Sequence, residues 1–113
     1  MHESQDAMNG ETLQQTVRVT SAEGMHMRPA TAFAEQAKVF QSTVTVVKDG
    51  KSFNGKSPLD MMLLAAAPGT DLTLQVTGTD APLALQQLIE LLRAHGIIDG
   101  QENEPEPPSP KKG

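Results

Sequence analysis

The spacing of apolar residues changes period repeatedly along this chain, and that alternation restricts the fold more than any other feature. Leu13, Val17 and Val19 share one face of an extended segment, with Gln14, Thr16, Arg18 and Thr20 on the other. From Pro29 the period becomes helical, with Ala30, Phe33, Ala34 and Ala37 at i, i+3, i+4 and i+7. Thr43-Val44-Thr45-Val46 returns to alternation, Asp49-Gly50 signals a hairpin turn, and a second strand should run back through Lys51 to Gly55.

Ser57-Pro58-Leu59-Asp60 reads as a helix start. Serine caps, proline suits the first turn, and the acid three residues after the cap answers it. That short helix carries Leu59, Met62 and Leu63 and stops before Pro68-Gly69. Leu72, Leu74 and Val76 alternate as a fourth strand ending at Gly78. Asp80 is expected to cap a last helix with the stripe Ala81, Ala84, Leu85, Leu88, Leu91 and Leu92, closing near Gly96. The order is βαββαβα. Since one sheet face is apolar and the other is rich in Thr, Gln and Lys, the expectation is an α+β open-faced sandwich. It has a four-stranded antiparallel sheet with three helices on one face.

Charge and composition divide the chain into a core and two ends. Residues 12–98 balance Arg18, Arg28, Lys38, Lys48, Lys51, Lys56 and Arg93 against Glu23, Glu35, Asp49, Asp60, Asp71, Asp80 and Glu90. The net charge of −5 therefore comes from the ends. Residues 99–113 are acidic and proline-rich with almost no apolar side chains, and read as a disordered tail; residues 1–11 read as a flexible extension. A neutral core whose aromatics are Phe33, Phe40 and Phe53 argues against a nucleic-acid surface. There is no cysteine, so disulfides and thiolate metal sites are excluded. Neither a membrane-spanning run nor a secretory signal is present, which makes a cytoplasmic protein the expectation.

The chemistry concentrates in Gly24-Met25-His26-Met27-Arg28-Pro29-Ala30. Proline fits the first helical turn, so His26 is placed on a loop entering a helix N-terminus, where unbonded amides and the helix dipole favour an anion. Arg28 adds a permanent cation with donors suited to phosphate oxygens. A neutral imidazole is a competent nucleophile, and its N-phosphoryl product can donate onward. From these residues alone, His26 as an ordinary polar loop residue stays an open alternative. His2 and His95 lack metal-ligand spacing with any partner, so neither a metal nor a cofactor is expected.

The segment Gly24–Ala30 closely resembles the active-site signature of HPr, the histidine-containing phosphocarrier of the bacterial phosphotransferase system. Gly50-Lys51-Ser52-Phe53-Asn54-Gly55-Lys56-Ser57 resembles that family's second signature, at the expected separation and followed by a Met/Leu-rich short helix. The resemblance spans roughly residues 12–97. It implies a carrier rather than a turnover enzyme. His26 would accept a phosphoryl group from enzyme I and pass it to an EIIA-type protein in sugar uptake and its regulation, with Arg28 holding the phosphate. Met27, Leu59 and Met62 match the family's partner-docking positions. Ser57 matches its regulatory serine, the substrate of an HPr kinase, although a serine there is also an excellent helix cap. Met27 is bulkier than the small residue usual between histidine and arginine, and Pro58 replaces an apolar side chain.

Gly50–Ser57 also satisfies the P-loop pattern, but a hairpin at Asp49-Gly50 and a small domain leave no parallel sheet to support one. The last helix and the sheet need no partner to complete a core, so a monomer is expected, one that neither inserts into membranes nor binds nucleic acid on the compositional grounds above. A second reading is an HPr-like binding module whose phosphorylation state controls partner proteins without sugar transport. If residues 100–113 are a tail outside the folded unit, deleting them should leave the midpoint and cooperativity of urea unfolding unchanged; a clear loss of either would show that the tail packs.

Overall fold

A computed structural model describes residues 11–64 and 66–99; the rest of the expected N-terminal extension and C-terminal tail lies outside them. The elements are β1 (Glu11–Arg18), α1 (Met27–Lys38), β2 (Thr43–Lys48), β3 (Lys51–Asn54), α2 (Pro58–Leu64), β4 (Asp71–Gly78) and α3 (Ala81–Ala94), in the expected order. The strands form one antiparallel sheet in the order β1-β4-β2-β3. The last strand in the chain is thus inserted between the first and second, and its pairing joins β1 to the rest of the sheet.

Alternation explains the two faces. Val17, Val44, Val46, Leu72, Leu74 and Val76 point inward and are buried. They meet Ala30, Phe33, Ala34 and Ala37 of α1, Met61 and Leu64 of α2, and Ala84, Leu88, Ile89 and Leu92 of α3. Phe33 is fully buried, and truncating a side chain of that size in a core costs about 3–5 kcal/mol. The small alanines of α1 let the helices approach closely; α1 packs on both α2 and α3. On the other face β1 and β4 are joined by polar cross-strand pairs: Thr12 with Thr77 and Thr16 with Thr73 at 2.8 Å, Gln75 with Gln14 at 3.2 Å, and Arg18 with Asp71 at 2.9 Å.

The Asp49-Gly50 turn has φ of 52° and 79°, the pair of positive values that a two-residue hairpin requires. Between β2 and β3 it sets the register Lys48↔Lys51. Two lysine side chains then bind backbone carbonyls, one at the end of α2 and one in the turn after α1. Lys48 Nζ donates to the Leu64 carbonyl at 2.8 Å, and Lys56 Nζ to the Phe40 carbonyl at 2.8 Å.

Capping differs from the sequence expectation at two acids. Asp80 stands at the N-cap of α3, but its carboxylate makes no cap hydrogen bond. It accepts instead from Gln41 N at 2.9 Å, from Ser42 N at 3.0 Å and from the Ser42 hydroxyl. The tertiary contact supplies three donors at once, more than a local cap offers. Gly78 makes this approach possible, because a Cβ there would lie 2.5 Å from Ser42 Oγ. At α2, Ser57 Oγ does accept from Asp60 N at 3.1 Å, but Asp60 does not return the bond. Its carboxylate takes Asn54 N at 2.9 Å, while Ser57 N donates to the Asn54 carbonyl.

The Ser42 hydroxyl foremost, then the Gln41 amide, hold the Asp80 carboxyl below its ordinary value of 3.8. A depressed folded-state value stabilises the fold above the ordinary carboxylate range, and that contribution is lost as pH falls through the lowered value. Asp80→Asn should therefore lower the urea midpoint at neutral pH, and its deficit against the wild type should shrink on acidification below 3.8. A deficit independent of pH would show that the charge is not what stabilises this junction.

Candidate functional site

His26 is the N-cap residue of α1, with extended backbone angles (φ −93°, ψ −170°) and no side-chain cap hydrogen bond. Its carbonyl starts the helix by accepting from Ala30 N at 2.9 Å. The helix begins two residues earlier than the proline pattern suggests, so Arg28 lies within its first turn and Pro29 is the third helical residue. Pro29 costs the helix nothing there, since a first-turn N–H has no intrahelical acceptor. The ring of His26 is half-exposed, and its Nε2 lies 3.4 Å from Glu23 Oε1.

The loop that carries His26 is held on both sides. Thr20 N and Ser21 N donate to the Ile97 carbonyl at 2.8 and 3.3 Å, tying the loop's start to the residues after α3. Met25 N donates to the Ala66 carbonyl at 3.2 Å, and the Met25 side chain is buried in the core. Gly24 makes the turn between these anchors at φ +67°, and a Cβ on it would meet Ala66 O at 2.1 Å. Only glycine satisfies both the left-handed backbone and that separation. His26 is thus presented from a rigid base.

Arg28 is exposed and makes no ion pair among the described residues. Of the expected docking residues, Met27 is 65% exposed on the first turn of α1, and Leu59 and Met62 are 61% and 37% exposed on α2. The core side of α2 is taken by Met61 and Leu64 instead. Leu63, also 63% exposed, belongs with the exposed apolar residues of α2; the sequence pattern places it on that helix with Leu59 and Met62, but not among the expected docking residues. Ser57 is partly buried, its oxygen engaged by Asp60 N.

Glu23 was also missed. The signal that could have found it is a carboxylate three residues before the histidine with a glycine between them. Among the described residues no cluster of acidic residues and histidines is placed to hold a metal ion, and no helix is long and apolar enough to cross a membrane.

A sequence profile described as the PTS HPr component phosphorylation site matches residues 13–94, most of the chain. The chain belongs to the HPr family. It is similar to the phosphocarrier protein HPr of Mycoplasma capricolum, 34% identical over 82 residues, covering 73% of this chain and 92% of that protein. The HPr-like protein Crh of Bacillus subtilis is 42% identical over 76 residues, covering 67% of this chain and 89% of Crh. A solved mycoplasma histidine-containing phosphocarrier superposes with a TM-score of 0.76 at 32% identity, over 78% of this chain and all of the other. HPr proteins are phosphocarriers of the phosphotransferase system, carriers rather than turnover catalysts, and the fold and element order here are theirs.

The clamp under the histidine loop of this HPr-family chain can be tested by one methyl group. Gly24→Ala combines the unfavourable φ with a clash against backbone and should destabilise by about 2–3 kcal/mol. Gly50→Ala, at φ +79° with nothing within 4 Å, should cost only the conformational part, about 1 kcal/mol. Equal losses in urea midpoint would show that the Gly24–Ala66 approach contributes nothing.

Proposed function

We propose that this protein accepts a phosphoryl group on His26 from phosphorylated enzyme I and donates it to an EIIA-type protein, in the cytoplasm. The observation that carries the reading is the position of His26, a half-exposed imidazole at the N-cap of a twelve-residue helix and not engaged in capping. The Met27 and Arg28 amides open the helix, where unbonded N–H groups and the dipole attract an anion. Arg28, exposed in the same turn, supplies the neutralising cation. A ring nitrogen attacks phosphorus with its lone pair; the N–P bond forms as the bond to the donor breaks, and that bond's electron pair stays with the donor. The reverse sequence delivers the group to the acceptor.

Met27, Leu59 and Met62, with Leu63, form the proposed docking surface. Flexible methionines and leucines suit a carrier that must fit both a donor and an acceptor. Residues 12–98 are proposed as the functional unit, acting as a monomer. A regulatory reading is favoured by the identity to Crh, whose solution structure is described as that of a catabolite repression HPr. In that reading an HPr kinase phosphorylates Ser57, adding charge at the start of α2 beside exposed Leu59 and Met62. The Crh crystal structure is a dimer with a swapped domain, so the same reading allows a dimer here.

Incubation with phosphoenolpyruvate, magnesium and enzyme I, followed by intact-mass analysis under alkaline conditions, tests the carrier reading. One acid-labile phosphate is expected, absent from His26→Ala and formed at least about tenfold more slowly in Arg28→Ala. Full modification of His26→Ala would move the site elsewhere. No modification of the wild type, with a control HPr charged in parallel and enzyme I from the same organism, would leave the regulatory reading.

A further inference from the structure

We infer that Glu23 is a positioning residue for phosphoryl transfer through His26, acting on the ring from its Nε2 side; this rests on the carrier reading above. Glu23 Oε1 lies 3.4 Å from His26 Nε2, within ion-pair distance, and the ring makes no side-chain cap hydrogen bond to the helix. The backbone produces this pairing. Glu23 N donates to Ser21 Oγ at 3.2 Å and Gly24 N to the Ser21 carbonyl at 3.1 Å, so the chain turns tightly. Gly24 then reverses it at φ +67°, and His26 N donates to the Gly24 carbonyl at 3.1 Å. Anchors at Ile97 and Ala66 hold both sides of the turn, which limits the backbone entropy lost when the two side chains meet.

A carboxylate only accepts hydrogen bonds, and a neutral imidazole has one N–H and one lone pair. Glu23 beside Nε2 therefore favours the proton on Nε2 and leaves the lone pair on Nδ1. When Nδ1 attacks phosphorus, the N–P bond forms and the donor keeps the electron pair of the broken bond. The ring, still protonated on Nε2, gains positive charge, which the carboxylate stabilises. A carboxylate orients and stabilises the histidine of hydrolase triads in the same way. A phosphoryl group on Nε2 would instead put like charges together.

The test compares Glu23→Ala and Glu23→Gln in the full chain, with enzyme I charged by phosphoenolpyruvate and magnesium as phosphoryl donor and 15N-labelled histidine. The His26 signals are assigned by their loss in His26→Ala. In Glu23→Ala, kcat for phosphoryl acceptance should fall about tenfold with KM unchanged, and the neutral ring should shift towards the Nδ1–H tautomer. Glu23→Gln keeps an acceptor without the charge, so it should retain the tautomer and lose less rate. Both should unfold like the wild type, since Glu23 is largely exposed. An unchanged kcat, an effect confined to KM, or an unaltered His26 nitrogen spectrum in Glu23→Ala would each overturn the inference. A wild type that accepts no phosphate would overturn the carrier reading itself, and the positioning role with it.

Discussion

The approach of Gly24 to the Ala66 carbonyl sets the geometry of everything around His26. Backbone rests on backbone there, with no side chain between, and a neighbouring hydrogen bond from Met25 N to the same carbonyl reinforces it. The Met25 side chain goes into the core, so the next residue is turned outward at the helix start. Ala66 lies just beyond α2, and α2 packs on α1. The histidine and the exposed apolar side chains of α2 are therefore referenced to one frame. A phosphoryl acceptor served by different partners gains from such a frame, because docking need not order the loop first.

The helical layer divides its apolar residues between two tasks. Met61 and Leu64 complete the core, whereas Leu59, Met62 and Leu63 stay on the surface. Solvent exposure of that much apolar surface is unfavourable, and its place on the helix packed beside α1 supports the docking role proposed for it. The open sheet face is built differently. Its Thr-Thr, Gln-Gln and Arg-Asp pairs satisfy one another across strands and leave a polar surface.

Side chains with strong local preferences were diverted by tertiary partners in several places. Asp80 and Asp60 each sit where a helix cap or capping box would use them, yet Asp80 reaches across the fold to the Gln41 and Ser42 amides, and Asp60 reaches back to the Asn54 amide at the end of β3. Lys48 closes the end of α2 and Lys56 holds the turn after α1, each from sixteen residues away in sequence. The short helix and the α1–β2 loop are thus held by charged or polar side chains as well as by the core, and the resulting bonds to backbone groups are stronger than neutral ones.

By itself the sequence determined the type and order of the elements. Periods of two and 3.6, Asp49-Gly50 and the Ser57-Pro58 start are local signals, and local signals are set by backbone geometry that neighbouring residues share. It also placed His26 and Arg28 at a helix entrance, because proline restricts where a helix begins. The strand order β1-β4-β2-β3 was decided only in three dimensions, since pairing β4 between β1 and β2 depends on closing long loops around a common core. The same holds for the choice of Met61 and Leu64 over Met62 and Leu63 as the core side of α2, and for the destinations of Asp80 and Asp60. Glu23 is an intermediate case: its place in sequence is plain, but its contact with Nε2 exists because Gly24 turns the chain where Ala66 allows it.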